Sequence, residues 1–191
     1  MPKPSLLIVV ASTRPGRVGL PVAEWFRGRA EAEGSFEVEV ADLERIALPF
    51  LDEPNHPRLR DYTHEHTKRW SAQVAAADAF VFVTPEFNYG MNAPLKNAID
   101  YLHHEWAYKP VGFVSYGGVS AGTRAVQQIK QVVTTLRMYP LNDAVAIPFV
   151  AQFLDDENVV EANEVMEKAA ATMLGEMARV QAALGTLRVE A

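Results

Sequence analysis

The sequence predicts an α/β protein built as a three-layer sandwich, with a five-stranded parallel sheet carrying helices on both faces. Three observations lead there. Short uninterrupted apolar runs, Leu6 to Val10, Ala79 to Val83 and Val111 to Tyr116, have the length and composition of strands buried on both faces. Segments with amphipathic helical spacing separate them, and strand–helix alternation of this kind folds as a parallel sheet with right-handed crossovers. The 191 residues are 49% hydrophobic and 22% charged, which supplies the core of one domain over 1–191 and leaves no length for a second.

Leu6 to Val10 is the first strand, and the loop Ser12 to Val18 follows it. In the helix Gly19 to Ala32, Leu20, Val22, Ala23, Phe26 and Ala30 share one face opposite Glu24, Arg27 and Glu31, and Gly34 ends it. Phe36 to Val40 alternates with period two, a strand near the sheet edge, closed by Asp42. Leu43 to Tyr62 carries Pro49, Pro54 and Pro57 and no periodicity, so it reads as a long loop of the kind that covers a site. A helix from Thr63 to Ala77 precedes the third strand, Ala79 to Val83, which Pro85 and the polar loop Glu86 to Asn92 terminate. Pro94 suits the first turn of a helix running to about His104. After the fourth strand, Val111 to Tyr116, the glycine-rich turn Gly117 to Gly122 offers Ser120 as a cap for the helix Thr123 to Leu136. Ala144 to Phe149 is the fifth strand. The last helix, Glu161 to Leu184, places Val165, Met166, Ala169, Met173, Met177 and Val180 mostly on one side.

Composition narrows function. The apolar runs fall far short of the ~20 residues of a membrane-spanning helix, so no membrane partner is expected. Met1 to Ser5 leads into a strand-like run without a small-residue cleavage site, so no secretory signal is expected and a cytoplasmic protein is. With no cysteine, disulfides, thiolate nucleophiles, iron–sulfur clusters and Cys-ligated zinc are excluded, and any redox chemistry must come from a bound cofactor. A net charge of −6 disfavours nucleic acid as a partner. His64 and His66, two apart, diverge if both lie on a helix, and His103 and His104 are adjacent; neither pair has zinc-ligand spacing, so no metal is expected. The acidic stretch from Asp155 to Glu167 reads as a solvated face.

Ligands of parallel sheets bind at the carboxyl ends of the strands near a topological switch point, which selects the loops after strands one, three and four. The first, Ala11 to Gly19, combines two hydroxyls, Arg14, Arg17, two glycines and a helix start, all favourable to a phosphate. Residues 1–29 hold five basic side chains against one acidic in a chain that is acidic overall. No G-x-G-x-x-G and no G-x-x-x-x-G-K-[ST] occurs, which argues against a primary dinucleotide site or a P-loop, and Asp42 reads as a strand terminator. The second loop, Thr84 to Asn92, is equally a site for a flat heteroaromatic ring or a rigid turn whose Phe87 and Tyr89 pack on a neighbour. The third is the glycine-rich turn.

Pro85-Glu86-Phe87-Asn88-Tyr89-Gly90 followed by Pro94-Leu95-Lys96-Asn97-Ala98-Ile99-Asp100, with Ser115 to Ala125 and with Ser12-Thr13-Arg14 and Arg17, resembles the NADPH-dependent FMN reductase family over about Leu6 to Pro148. This is a flavodoxin-like group that includes quinone, chromate and azo-dye reductases. The resemblance implies sheet order 2-1-3-4-5 and FMN with its phosphate on Ser12, Thr13, Arg14, Arg17 and the backbone near Val18 and Gly19. It further implies that Pro85, Glu86, Phe87, Asn88 and Tyr89 contact the ring and ribityl chain, and that Ser115, Gly117 and Gly118 close the remaining side. NADPH would be the hydride donor, FMN N5 the relay, and a quinone, free flavin or similar small molecule the electron acceptor, so no catalytic side chain is named. Self-association as a homodimer or homotetramer is implied too, and His103, Trp106 and Tyr108 are candidates for a subunit contact or an acceptor pocket. Two positions depart from the family pattern: Ala11 replaces the usual glycine and Phe87 the common tyrosine, both conservative in shape. The alternatives are a flavodoxin-like electron carrier and the flavin reductase component of a two-component monooxygenase.

Overall fold

Residues 2–188 are described by a computed structural model. Its strands are β1 (Ser5–Val10), β2 (Glu37–Asp42), β3 (Ala79–Pro85), β4 (Pro110–Gly117), β5 (Tyr139–Pro140) and β6 (Val145–Pro148). All pairings between them are parallel, in the order β2-β1-β3-β4-β5 with β6 also paired to β4. This is the order that the resemblance implies, and β2 lies at the edge that its polar alternation predicted.

The helices are α1 (Gly19–Glu33), α2 (Leu43–Ile46), α3 (Glu65–Ala76), α4 (Ala93–Asp100), α5 (Thr123–Thr135) and α6 (Glu164–Arg188). Successive strand side chains point to opposite faces, so each apolar run divides between two cores. Leu6, Ile8 and Val10 of β1 and Ala79, Val81 and Val83 of β3 pack with α1 and α6. Leu7, Val9, Phe80 and Phe82 pack with α3, α4 and α5. The continuous hydrophobic runs follow from this, because both faces of the central strands are covered.

Several boundaries differ from the sequence reading. The fifth sheet position is not one strand from Ala144 to Phe149 but two fragments, β5 against Pro110 and Val111 and β6 against Val114 to Gly117. Pro140 and Pro148 have no N–H to continue a ladder. Leu43 to Tyr62 contains α2 and a 3-10 turn, Pro57–Leu59. The α4 helix stops at Asp100, and a 3-10 turn, His104–Trp106, follows. That turn carries Trp106 into the core against Trp70, Phe80 and Phe82, so Trp106 is a packing residue and not a surface contact. The last helix starts at Glu164, where Asn163 Oδ1 accepts the Met166 N–H, and Val165 faces outward at 75% exposure. The α3 helix starts at Glu65 because the Glu53 carboxylate accepts the N–H groups of Thr63 and His64 and holds them outside it. His64 is therefore not helical, and its ring stacks on His66 at 5.2 Å instead of diverging.

Register aligns the functional edge. Val10 pairs with Asp42 and Val83, Thr84 with Ser115, Pro85 with Tyr116, and Gly117 with Pro148. The loops after β1, β2, β3, β4 and β6 thus emerge side by side, and the topological switch point, where the strand order reverses, falls between β1 and β3.

Candidate functional site at the carboxyl edge of the sheet

The first loop is organised by Arg17. Its N–H donates to Arg14 O at 3.1 Å, and its Nη1 donates to Ser12 O at 2.8 Å, closing a turn over residues 12–17. The same guanidinium forks onto Asp42 at the end of β2, Nη1 to Oδ1 at 2.5 Å and Nη2 to Oδ2 at 2.6 Å. Burial alone would raise the Asp42 carboxyl, but the Arg17 fork, the Glu44 N–H and the nearby Arg45 hold it below the usual carboxylate value. Asp42 does close β2, as its position suggested, and it also caps α2 and anchors the neighbouring loop.

Ser12 is buried, whereas Thr13, Arg14 and Gly16 are exposed and Val18 is half-buried. Arg14 forms no ion pair among the described residues. No side chain caps α1, so the Gly19 and Leu20 N–H groups of its first turn have no intrahelical or side-chain partner, while Pro21 carries no N–H. The N–H groups of Thr13, Gly16 and Val18 are likewise without partners among the described residues. Above them ends Tyr116 of β4, whose Oη is buried and has no hydrogen-bond partner among the described residues. Burial pushes its hydroxyl up to about 12 against the opposing pull of the neighbouring Ser12 hydroxyl, Arg17 and Arg14, so it stays a proton donor at neutral pH; Ser12 lies nearby but outside hydrogen-bond geometry. The approach is close enough that a Cβ on Gly19 would lie 2.5 Å from that oxygen, which explains glycine there. Donors of α1, Arg14 and Tyr116 thus lie near one another, and an anionic oxygen placed there would satisfy the orphaned hydroxyl.

In the second loop Pro85 is buried as the last residue of β3, and Phe87 and Gly90 exchange two backbone hydrogen bonds of 3.0 and 2.9 Å. Asn88 and Tyr89, the central pair of this turn, have φ of +50° and +68°. Two successive left-handed residues make a tight type I′-like turn, a strained choice for tyrosine. Glu86 holds the turn in place. Its carboxylate accepts from Ser120 Oγ at 3.0 Å, from the Arg124 N–H at 3.1 Å and from Arg124 Nε at 2.6 Å, while the Arg124 guanidinium lies 3.7 Å from the centre of the Tyr89 ring. Ser120 is thereby engaged with Glu86 and Arg124, and the N-cap of α5 is Gly122 at φ +79°, without a side-chain cap. A Cβ at Gly122 would meet Ser115 Cβ and Tyr116 N at 2.9 Å, so the close approach requires glycine. Ser115 Oγ donates to Ala121 O at 2.8 Å and staples the third loop internally. Beside it, Gly118 O accepts from Ala121 and from Phe149, the residue after β6, so a fourth loop joins the site.

Phe87, Tyr89, Val119 and Phe149 stand 43%, 69%, 81% and 51% exposed, an apolar and aromatic rim around glycine-rich backbone. The expected residues therefore gather at one edge: Ser12 to Gly19, Pro85 to Tyr89, and Ser115 with Gly117 and Gly118. Tyr116, Asp42, Arg124 and Asn92 belong with them and were missed as functional residues. Asn92 is buried and ties α4 to β1 through Nδ2 to Ala11 O at 2.5 Å. A Tyr at the end of a buried strand and an Arg at a helix start gave a signal only in retrospect, since both occur constantly as packing and solvated residues. Among the described residues no group of three or more His, Asp or Glu is placed to hold a metal ion, and no helix is long and apolar enough to cross a membrane.

Comparison with known proteins agrees with this geometry. Residues 4–152 match the family model described as NADPH-dependent FMN reductase. An NAD(P)H-dependent FMN reductase of Schizosaccharomyces pombe is 42% identical over 149 residues, covering 76% of this chain and 74% of the relative. A probable NADPH:quinone oxidoreductase of Oryza sativa subsp. japonica is 40% identical over 106 residues, covering 51% and 52%. Among solved structures, the flavoenzyme NAD(P)H:(acceptor) oxidoreductase FerB of Paracoccus denitrificans superposes with a TM-score of 0.71 over 96% of this chain and 98% of its own, at 19% identity, a likeness of fold. With three motif loops on one sheet edge, a family match over most of the chain and a relative this similar along three quarters of it, the chain belongs to the NADPH-dependent FMN reductase family of oxidoreductases.

Proposed function

We propose that the protein binds FMN at the carboxyl edge of the sheet and uses NAD(P)H to reduce small acceptors, with quinones and free flavin as the leading classes. The observation that carries the reading is the orphaned Tyr116 hydroxyl above the uncapped start of α1, beside the unpaired Arg14. A phosphate monoester is near −2 at pH 7 and fits that donor set. Ser12, Thr13, Arg14, Tyr116 and the N–H groups near Val18 and Gly19 would hold the phosphate. Pro85, Glu86, Phe87, Asn88 and Tyr89 would flank the ring and ribityl chain, with Ser115, Gly117 and Gly118 on the other side.

When bound, FMN supplies two-electron chemistry at N5 that no side chain of this cysteine-free chain offers. The protein's own part is binding, orientation and electrostatics. The N–H groups of Asn88, Tyr89 and Val119 have no partners among the described residues and supply fixed dipoles for negative charge on a flat ligand. The exposed faces of Phe87 and Tyr89 give a planar acceptor an apolar surface to stack on. The S. pombe relative, named an NAD(P)H-dependent FMN reductase, supports the donor, and the Oryza relative, named a probable quinone oxidoreductase, supports the acceptor class.

The test is an anaerobic absorbance titration of FMN-reconstituted protein with NADPH and separately with NADH, followed by a quinone. Bleaching of the flavin band and its return on adding quinone is the expected result. Bound flavin that neither nucleotide bleaches would make the protein an electron carrier, and a failure to bind flavin would remove the cofactor from the reading.

A further inference from the structure

The first loop contains two guanidinium groups, and the structure gives them different surroundings. The following assignment rests on the FMN reading above. We infer that Arg17 is a positioning residue locked onto Asp42, and that Arg14 is the guanidinium that meets the FMN phosphate. The Arg17 and Asp42 side chains are 12% and 7% exposed. Three charge-assisted bonds, two to the Asp42 carboxylate and one to Ser12 O, take both N–H groups of Nη1 and one of Nη2, and Glu44 Oε2 lies 3.6 Å from Nη2. If Arg17 turned to a phosphate, Asp42 would keep only the Glu44 N–H at 3.1 Å and Arg45 Nε at 3.6 Å, and Ser12 O would lose its partner. A buried carboxylate left without its cation is strongly destabilising, so the pair does not open for an anion that Arg14 already meets.

Arg17 does something else for the site. Its backbone N–H on Arg14 O and its side chain on Ser12 O hold the turn at both ends, and Asp42 fixes that side chain to the end of β2, where Val10 and Asp42 pair. The turn so held leaves the Thr13, Gly16 and Val18 N–H groups without partners among the described residues and keeps Arg14 exposed, near enough to Tyr116 for its charge to act on that hydroxyl. Asp42, an acid beside a phosphate seat, therefore supports anion binding instead of opposing it. The two roles of Arg17 predict opposite signs for removing that acid.

The experiment is a fluorescence titration of apo-protein with FMN and with riboflavin, which lacks the phosphate, for wild type, Arg14→Ala, Arg17→Ala, Arg17→Lys, Asp42→Asn and the Arg17→Ala/Asp42→Asn pair. Asn retains an acceptor for the Glu44 N–H, so Asp42→Asn keeps the α2 cap. Arg14→Ala is expected to weaken FMN at least ~tenfold and to leave riboflavin within about twofold. Arg17→Ala and Asp42→Asn each weaken FMN by a similar factor of about ten and spare riboflavin, the double variant is no weaker than either single one, and Lys at 17 does not restore affinity because it lacks the fork. Hydrogen exchange of amides 13–18 in the apo-protein quickens in Asp42→Asn, a readout that needs no cofactor. Unchanged or tighter FMN binding in Asp42→Asn, or full affinity with Arg17→Lys, would make Arg17 a direct phosphate ligand and overturn the assignment. Wild type that binds neither flavin overturns the FMN reading and this assignment with it; normal FMN binding with unaltered amide exchange overturns the assignment alone.

Discussion

Single atoms decide much of this site. Tyr116 Oη is a buried donor without a partner, a state that costs free energy unless a ligand accepts from it. Tyr116→Phe is thus expected to leave the apo-protein's stability unchanged or raised by up to about 1 kcal/mol, while FMN affinity falls about tenfold. Thermal unfolding of the apo-protein and a flavin titration measure the two effects, and a loss of apo-stability would show that the hydroxyl has a partner in the protein. Gly19→Ala is the complementary change, because the new methyl meets Tyr116 Oη at 2.5 Å. It should cost roughly 1–3 kcal/mol through overpacking. Adding Tyr116→Phe should recover part of that, since the nearest remaining ring atom, Cζ, lies at 3.4 Å, ordinary contact distance.

At the level of elements, the β3–α4 and β4–α5 loops are joined by Glu86, Ser120 and Arg124 into one unit. Arg124→Ala removes the cation from a mostly buried carboxylate and from the face of Tyr89. The expected result is about tenfold weaker binding of FMN and riboflavin alike, because the ring side of the site loosens. A loss confined to FMN would instead place Arg124 at the phosphate. On the opposite edge, Lys109 is buried below the C-terminal end of α3, with Nζ donating to Val74 O at 2.9 Å and Ala75 O at 3.0 Å. Burial is the main cause that lowers its ammonium to about 8 from 10.5. Between those values the unfolded chain holds the proton more firmly, so folded-state stability rises with pH; below pH 8 both states are protonated and the penalty is constant. Relative to Lys109→Met, wild type should gain up to about 3 kcal/mol from pH 8 to 10.5. Denaturant melts of both proteins across that range measure it, and a flat difference would contradict the lowered value.

For the whole molecule, FMN binding and folding should be linked, because the proposed cofactor seat is assembled from the ends of β1, β2, β3, β4 and β6 and does not exist in the unfolded chain. Free FMN at a hundredfold excess over its Kd should stabilise the fold by about 2.7 kcal/mol, a rise of roughly 5–10 °C in Tm. Riboflavin at the same concentration should raise it less, by the share that the phosphate contributes. An equal shift from both would relocate the binding energy to the ring loops. The same assembly explains why the two cores matter for function: α1 and α6 on one face and α3, α4 and α5 on the other fix the strand register that aligns the loops.

The sequence alone determined the alternation of strands and helices, because buried parallel strands must be apolar on both faces and so stand out as uninterrupted runs such as Leu6 to Val10 and Ala79 to Val83. It also pointed to the candidate site, since glycines, prolines and turn-forming residues at strand ends are local signals. The broken fifth sheet position, the late start of α6 and the core placement of Trp106 were not legible, because each depends on which surface a segment packs against. Tertiary structure alone decided how the charged residues pair. Arg17 and Asp42 are 25 residues apart, Glu86 and Arg124 are 38 apart, and Tyr116 meets Gly19 across the sheet. Pattern and propensity act over a few neighbouring residues, whereas a guanidinium or a hydroxyl chooses its partner only after the sheet has placed distant strand ends within hydrogen-bonding reach.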